Sequence, residues 1–332
     1  MRVLIIGGSG FIGRHVSKQL VERGDEVINF HRGQTPSNSK LTSEIIGERN
    51  ELESFRNQFE KLQPDVVIDM IAMSENDAQI LLRTFSGIVP RLVVISSSDV
   101  YRNYDLMAGI DDDVPDPRPL SESSPLRTHL FRHRKQAQDE SHRFYNYEKI
   151  LVERAVMNEP DVVATVLRLP AVYGPGDKQH RLFPYIKRMD DKRPAILVDA
   201  GMMNWRWTRG YVENVAAAIS WAAGDQNPSS GIYNVGERKA LPEKEWIAKI
   251  GDVIGWQGRA LAIDPSDLPE KMWSGLRWQH NLETDTSLIH AQPGFSEPVE
   301  FQDGILRTVE WERANPPALN PQDFDYETED QV

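Results

Sequence analysis

Short apolar runs alternate with longer amphipathic stretches along the first half of the chain. Residues 3–6 form an apolar run that ends in glycines and predicts a buried parallel strand. Phe11, Ile12, Val16 and Leu20 then recur at helical spacing, and Gly24 is placed to stop that helix. Further strands are predicted at 26–30, 66–71 and 92–96, and helices at 52–62 and 77–85. This alternation is the signature of βαβ units, so the expected fold class is α/β with a doubly wound parallel sheet.

Residues 102–143 break the rhythm with three consecutive aspartates, several prolines and then a basic stretch. They predict a long excursion over the C-terminal edge of the sheet. Helix is expected again at 139–157 and strand at 162–167. Beyond 175 the segments shorten, with helices at 213–223 and 243–254 and a strand at 232–235. The pattern divides into a dinucleotide-binding domain over 1–170, a smaller, partly interleaved substrate lobe over 171–314, and a tail over 315–332. The tail is rich in proline and acid without periodicity and is expected to be mobile.

Charge and composition narrow the chemistry. The 332 residues carry a formal net charge of -12, which repels phosphate backbones and argues against a nucleic-acid partner. There is no cysteine, which excludes disulfides, thiolate catalysis and cysteine-ligated zinc. The histidines are scattered without HExxH spacing, so no metal is expected. No stretch approaches the roughly 20 apolar residues of a membrane span. Glycines interrupt the N-terminal apolar run short of a signal peptide. A cytoplasmic protein without a membrane partner is expected.

Gly7-Gly8-Ser9-Gly10-Phe11-Ile12-Gly13 joins the first strand to the first helix. Glycine allows the tight turn and the close backbone approach that a pyrophosphate needs, and the helix N-terminus offers free N–H groups. The plain alternative is a tight strand–helix turn, but its place at the head of an alternating chain favours dinucleotide binding. The second strand ends Asn29-Phe30-His31-Arg32 with no acid for the ribose hydroxyls. Arg32, joined by Arg14, would face a 2′-phosphate, which favours NADP over NAD; alternatively Arg32 is a solvated loop residue and His31 covers the adenine.

Tyr145 and Lys149 are four apart on a predicted helix and would share a face. A nearby ammonium favours the phenolate, so such a tyrosine can act as acid or base. Ser96-Ser97-Ser98 ends the fourth strand of that reading, at the sheet edge where open α/β folds bind ligands. A lone Tyr-x-x-x-Lys is usually chance; here it follows a serine-rich strand end in a dinucleotide-binding pattern. Tyr147 is the rival tyrosine, but on a helix it would face away from Lys149.

Together these residues resemble the extended short-chain dehydrogenase/reductase family, the NAD(P)-dependent epimerase/dehydratase group. The resemblance adds Ser96-Ser97-Ser98-Asp99-Val100-Tyr101, the run from Leu167 to Asp177, and Gly231-Ile232-Tyr233-Asn234-Val235-Gly236, and spans about residues 1–312. It implies a Rossmann-like fold, with Tyr145 as acid/base, Lys149 binding the nicotinamide ribose and tuning Tyr145, and Ser97 as the accompanying hydroxyl. It implies that Gly7, Gly10 and Gly13 line the pyrophosphate, that Phe11, Ile12, Glu48 and Ala72 contact the cofactor, and that Pro170 and Val172 pass near the nicotinamide. It also implies a homodimer through the helix containing Tyr145 and the one before it. Asp69 stands where many members carry histidine. Leu169-Pro170-Ala171-Val172 stands where sugar-nucleotide enzymes often carry asparagine. Ser98-Asp99 replaces the Asp-Glu of 4,6-dehydratases, leaving Asp99 either a second acid/base or a capping residue.

On the substrate side, Arg127, Arg132, Arg134, Lys135 and Arg143 concentrate positive charge before the catalytic segment. They either attract an anionic small molecule or form a solvated face. Arg206 or Arg209, in Trp205-Arg206-Trp207-Thr208-Arg209, could hold a substrate phosphate, or the segment could be core packing at a helix entry. The functional expectation is an NAD(P)-dependent oxidoreductase or epimerase acting on a carbonyl or secondary alcohol, with a sugar nucleotide or another anionic small molecule as candidate substrates. The competing expectation is a non-catalytic dinucleotide sensor or scaffold on the same fold.

Overall fold

The computed structural model describes residues 1–34, 42–135, 137, 139–224, 230–269 and 272–332. The chain runs β1 (Arg2–Ile6), α1 (Gly13–Arg23), β2 (Glu26–His31), β3 (Ser43–Ile46), α2 (Arg56–Leu62), β4 (Val66–Asp69), α3 (Glu75–Phe85) and β5 (Arg91–Ser97). It continues through α4 (Asn103–Met107), α5 (Lys149–Met157), β6 (Val163–Leu169), β7 (Ala171–Tyr173), α6 (Phe183–Asp190), β8 (Ala195–Asp199), β9 (Arg209–Tyr211) and α7 (Val212–Ala222). Then come β10 (Gly231–Asn234), α8 (Glu243–Ile254), β11 (Arg259–Ile263), α9 (Ser287–His290), α10 (Phe301–Ala314) and α11 (Tyr326–Glu329).

Seven parallel strands form one sheet in the order β10–β6–β5–β4–β1–β2–β3. Alternation along β1 builds both faces. Val3 and Ile5 pack with Val16 and Leu20 of α1 and with α7, while Leu4 and Ile6 pack with Phe30, Phe59, Leu81 and Phe85. Each such fully buried aliphatic side chain contributes about 1.5–3 kcal/mol. Helix α1 stops where Gly24 turns left-handed, at φ 95. Helix α3 starts on a capping box between Ser74 and Asp77.

Register sets the site. Ile6 lies opposite Phe30 and Asp69, and Ser97 lies opposite Leu169. The turns after β1, β2, β4, β5 and β6 therefore emerge along one edge. The sheet order reverses between β1 and β4, which opens the crevice where such sheets take ligands.

The second lobe is built on two short parallel pairs, β7–β9 and β8–β11. It interleaves with the first domain, because α7 packs on α1 and β10 closes the main sheet. The excursion is stitched down at its middle: Leu120 N donates to Glu283 O (2.8 Å) and Arg127 N to Val100 O (2.8 Å).

Two expectations differ from the structure. The helix expected over 139–157 begins only at Lys149. Residue Glu148 is extended (φ -161, ψ 94) and its carboxylate caps Ile150 N, while Asp139 turns the preceding chain by accepting from Ser141 N and Oγ (2.8 and 2.5 Å). The helix expected to carry a dimer contact at Tyr145 is thus a nine-residue element without that tyrosine. The tail is not loose either. Glu329 is buried against Arg188 (2.6 Å), the Phe324 ring meets Phe183 edge-on, and Tyr326 Oη donates to Asp191 (2.5 Å). Aromatic anchors outweigh the tail's acidic composition.

Candidate active site

The glycine run is packed so closely that it excludes side chains. A Cβ on Gly13 would lie 2.5 Å from Gly7 O and 2.8 Å from Gly8 Cα, and one on Gly8 would lie 1.8 Å from Asn29 Oδ1. Asn29 is itself buried and takes a hydrogen bond from Ser17 Oγ (3.0 Å). Gly7 turns at φ 88, and its N–H donates to Phe30 O (2.9 Å). Ile12, at the head of α1, makes no side-chain cap, and the first turn of α1 holds no acid. The helix end therefore turns its partial positive charge toward the crevice, although Arg14 N and His15 N already donate to Gly10 O (3.1 Å) and Ile12 O (3.0 Å). Phe11 and Ile12 pack their side chains on the core behind the loop. These features fit a dinucleotide pyrophosphate at the loop.

At the ribose end, His31 is buried and its Nδ1 accepts from Gly33 N (3.1 Å). Arg32 is exposed. Arg14 does not join it. Its Nη2 reaches Pro175 O (3.4 Å), and a Cβ on Gly176 would fall 1.4 Å from that nitrogen. Arg14 thus leans toward the second lobe, because the glycine at 176 leaves it a seat there. Glu48 is exposed on the loop after β3. Asp69, at the end of β4, is fully buried and paired with Arg49. Pro170 packs close to Gly210 and Gly236, where a Cβ would come within 3.1 and 3.3 Å of its Cγ. Val172 lies buried in β7.

Lys149, the first residue of α5, is buried, and its Nζ donates to Ala72 O (2.6 Å) and Ile95 O (2.7 Å). Burial pushes its ammonium down to about 8, with Asp69 and Asp99 acting in the opposite direction. The ammonium thus ties the ends of β4 and β5 at the crevice. Tyr145 does not meet it. This tyrosine sits on a turn, its hydroxyl donates to Glu140 (3.2 Å), and Arg134 covers its ring at 4.9 Å. The four-residue spacing implies a shared face only within a helix, and none spans 145–149.

Tyr147 enters the site instead. It is buried, its hydroxyl donates to Asp99 Oδ2 (2.8 Å), and the Ser97 hydroxyl is a further hydrogen-bond partner. Residues on either side of one extended residue project to the same side, so extended Glu148 lets 147 and 149 both face Asp99. Glu148 is held by a cage: Arg127 Nη2 donates to it at 3.0 Å and Phe131 N at 2.8 Å, and neither side chain of the ion pair is exposed. Arg127 Nε also donates to Asp99 O (2.5 Å). Sequence spacing set Tyr147 aside as the rival tyrosine because it assumed a helix through 145–149. The signal available was the unhelical run 139–146, with its Asp, Ser, His and Asn.

The remaining candidates are committed elsewhere. Arg209 is buried, pairs with Glu243 (2.6 Å) and lies over the Trp246 ring at 4.5 Å. Arg206 donates to Ala240 O (2.6 Å). Arg209 is thus committed to the packing of the second lobe, while Arg206 is half-buried and gives one guanidinium N–H to that carbonyl. Trp207 Nε1 donates to Tyr104 Oη (3.2 Å), which meets Ser98 Oγ at 2.8 Å. Within the basic stretch, Arg127 is buried and Arg132 faces Asp105 at 3.7 Å, while Arg134, Lys135 and Arg143 are exposed. Among the described residues, no cluster suits a metal ion and no helix is long and apolar enough to cross a membrane.

A glycine-turned dinucleotide crevice beside a buried lysine, a serine and a tyrosine defines a Rossmann-type dinucleotide enzyme. The chain belongs to the NAD dependent epimerase/dehydratase family, whose model matches residues 3–236. It is similar to Protein CapI of Staphylococcus aureus, 24% identical over 367 residues that cover 94% of this chain and 98% of that protein. It is also similar to a probable UDP-glucuronate 4-epimerase of Rhizobium meliloti, 23% identical over 94% of this chain and 96% of that protein. The fold matches the crystal structure of a Thermus thermophilus UDP-glucose 4-epimerase in complex with NAD, with TM-score 0.66 and 21% identity over 95% of this chain and 100% of that one.

Proposed function

We propose that the protein moves a hydride between NAD and a secondary alcohol or carbonyl carbon of an anionic sugar-nucleotide-class substrate. The observation that carries the reading is the cluster of Ser97, Tyr147 and Lys149 at the sheet edge, next to a glycine loop closed to side chains. The names of the similar epimerases supply the substrate class. NAD, when bound, supplies the hydride acceptor. Gly7, Gly10 and Gly13 with the N-terminus of α1 would hold its pyrophosphate. Glu48 and His31 would flank the adenosine end, and Ala72, Pro170 and Val172 would flank the nicotinamide end. Lys149 holds the ends of β4 and β5 in register beneath it. Ser97 and a tyrosine hydroxyl orient the reacting oxygen and handle its proton.

NAD is preferred to NADP in this reading. The NADP expectation rested on Arg32, with Arg14 to join it; Arg14 is seated against Pro175 and Gly176, and the family and the similar solved structure are named for NAD. The test is a titration of purified protein with NADH and NADPH, following nicotinamide fluorescence, followed by NMR detection of 4-epimers from UDP-glucose and UDP-glucuronate. NADH binding at least as tight as NADPH is expected, together with epimer formation. Tighter NADPH binding that is lost in Arg32→Asp would overturn the cofactor choice. Absence of binding to either would overturn the enzyme reading and favour a scaffold.

A further inference from the structure

We infer that the acid/base phenol of this site is Tyr147, two residues before Lys149, and that Asp99 is its proton partner. The inference deepens the proposed function and rests on it. Three observations carry it. Tyr147 is the buried tyrosine whose hydroxyl reaches both Ser97 and Asp99, whereas Tyr145 spends its hydroxyl on Glu140 at the rim. Asp99 Oδ2 accepts from Tyr147 at 2.8 Å, while Asp99 Oδ1 is buried without a hydrogen-bond partner. The backbone N–H of Asp99 donates to Ser97 Oγ (3.2 Å), and Arg127 Nε donates to its carbonyl (2.5 Å), so the Asp99 main chain is held at both ends.

The chemistry follows from where the protons sit. Burial and the Asp99 charge both hold the Tyr147 phenol well above its ordinary range, so it is protonated at neutral pH. A phenol in that state can donate to a carbonyl oxygen but cannot by itself accept from an alcohol. Asp99 removes the obstacle. During alcohol oxidation the substrate O–H breaks and its proton goes to Tyr147 Oη. The Tyr147 proton moves to Asp99 Oδ2, and the carbon's hydride leaves to NAD. Alcohol and oxidised cofactor thereby give ketone, reduced cofactor and one proton held on Asp99. The reverse step returns that proton through Tyr147, as an epimerase requires. The groups that face Asp99 are Tyr147, Tyr104, the Lys149 ammonium and Arg127.

The test uses the whole 332-residue chain and the variants Tyr147→Phe, Tyr145→Phe and Asp99→Asn, each first checked for NADH binding. Epimerisation of UDP-glucose and UDP-glucuronate is followed by NMR. Tyr147→Phe is expected to lower kcat at least 100-fold with KM and NADH affinity held within threefold, while Tyr145→Phe changes kcat less than threefold. Between pH 6 and 7 the wild-type rate should change less than threefold, below the range in which the Lys149 ammonium titrates. That of Asp99→Asn should rise roughly tenfold per pH unit, because oxidation must then wait for the phenolate. A second readout needs no substrate: with tyrosine labelled at the Cζ carbon, the Tyr147 resonance should titrate at least one pH unit lower in Asp99→Asn than in wild type. A large kcat loss in Tyr145→Phe with Tyr147→Phe unaffected would overturn the assignment. An unmoved Tyr147 titration would overturn the Asp99 link. If wild type binds NADH but turns over neither sugar nucleotide, the proposed function falls, and the titration still decides the Tyr147–Asp99 coupling.

Discussion

Replacing Arg127 with methionine should destabilise the protein and disarrange its site together. Arg127 and Glu148 form an ion pair with both side chains at 0% exposure, joined at 3.0 Å. Such a pair need not beat a hydrophobic replacement of both partners, but removing one partner strands the other. In Arg127→Met the Glu148 carboxylate would keep Phe131 N and Ile150 N as donors and lose the guanidinium that balances its charge. The expected cost is about 3–5 kcal/mol. With unfolding entropy near 2.1 cal/mol/K per residue over 332 residues, that lowers Tm by about 6 °C if unfolding is cooperative. The assay is thermal unfolding by circular dichroism at pH 7, with the double change Arg127→Met/Glu148→Gln alongside. The double change should regain part of the loss, because it removes the stranded charge, although the single amide oxygen can replace only one of the two carboxylate oxygens that accept from Phe131 N and Ile150 N. Tyr147 and Lys149 flank Glu148, so the single variant should also lose kcat more than it loses NADH affinity. A Tm shift below about 2 °C, or no recovery in the double variant, would refute the caged-carboxylate account.

Two other changes probe the loop and the second lobe. Gly13→Ala would push a methyl to 2.5 Å from Gly7 O, so the loop must open; NADH affinity, read by fluorescence titration, should fall at least tenfold while the fold survives. Glu237 lines a cavity of about 520 Å³, takes a hydrogen bond from Tyr173 Oη (2.8 Å), and is pushed by burial up to about 8. Its folded value lies above the unfolded one, so the stability it carries is full below about pH 4.5 and is lost as pH rises through 8. Glu237→Gln, followed by melting curves from pH 5 to 8, should therefore flatten that decline and gain on the order of 2 kcal/mol relative to wild type at pH 8. Parallel declines in both proteins would refute it.

The parallel sheet was legible because its determinants are local and repeated. Residues 3–6, 66–68 and 92–95 are apolar throughout, as strands buried on both faces must be, and Gly7, Gly13 and Gly24 mark turns that side chains would block or strain. Helix α8 matches its expected bounds of 243–254 because its apolar face, Trp246, Ile247 and Ile250, repeats at helical spacing and Gly255 closes it. The tail was not legible. Its ties to the fold run through Glu329–Arg188 and Phe324–Phe183, pairs more than 140 residues apart that no local pattern reports. Arg206, Arg209 and Arg127 looked available for a ligand for the same reason. Their partners, Ala240 O, Glu243 and Glu148, lie 34, 34 and 21 residues away.

The two tyrosines show how far a long-range pair can govern a local motif. Residues 145–149 contain Tyr-x-x-x-Lys and Tyr-x-Lys at once, and the chain can present only one of them to the crevice. A helix through 145 would put Tyr145 above Lys149 and turn Tyr147 away. An extended residue at 148 reverses that choice. Glu148 is not extended by propensity; its carboxylate is drawn into a buried cage by Arg127 and Phe131, which the excursion brings back from 17 to 21 residues upstream. The excursion is in turn pinned by Arg127 N to Val100 O, immediately after the Ser97–Asp99 turn. The same arginine therefore holds the Asp99 main chain through its carbonyl and, through Glu148, the backbone beside the tyrosine that donates to Asp99. Exchanging the excursion for a shorter helical link should free Glu148, restore a helix through 145 and move the phenol from one tyrosine to the other.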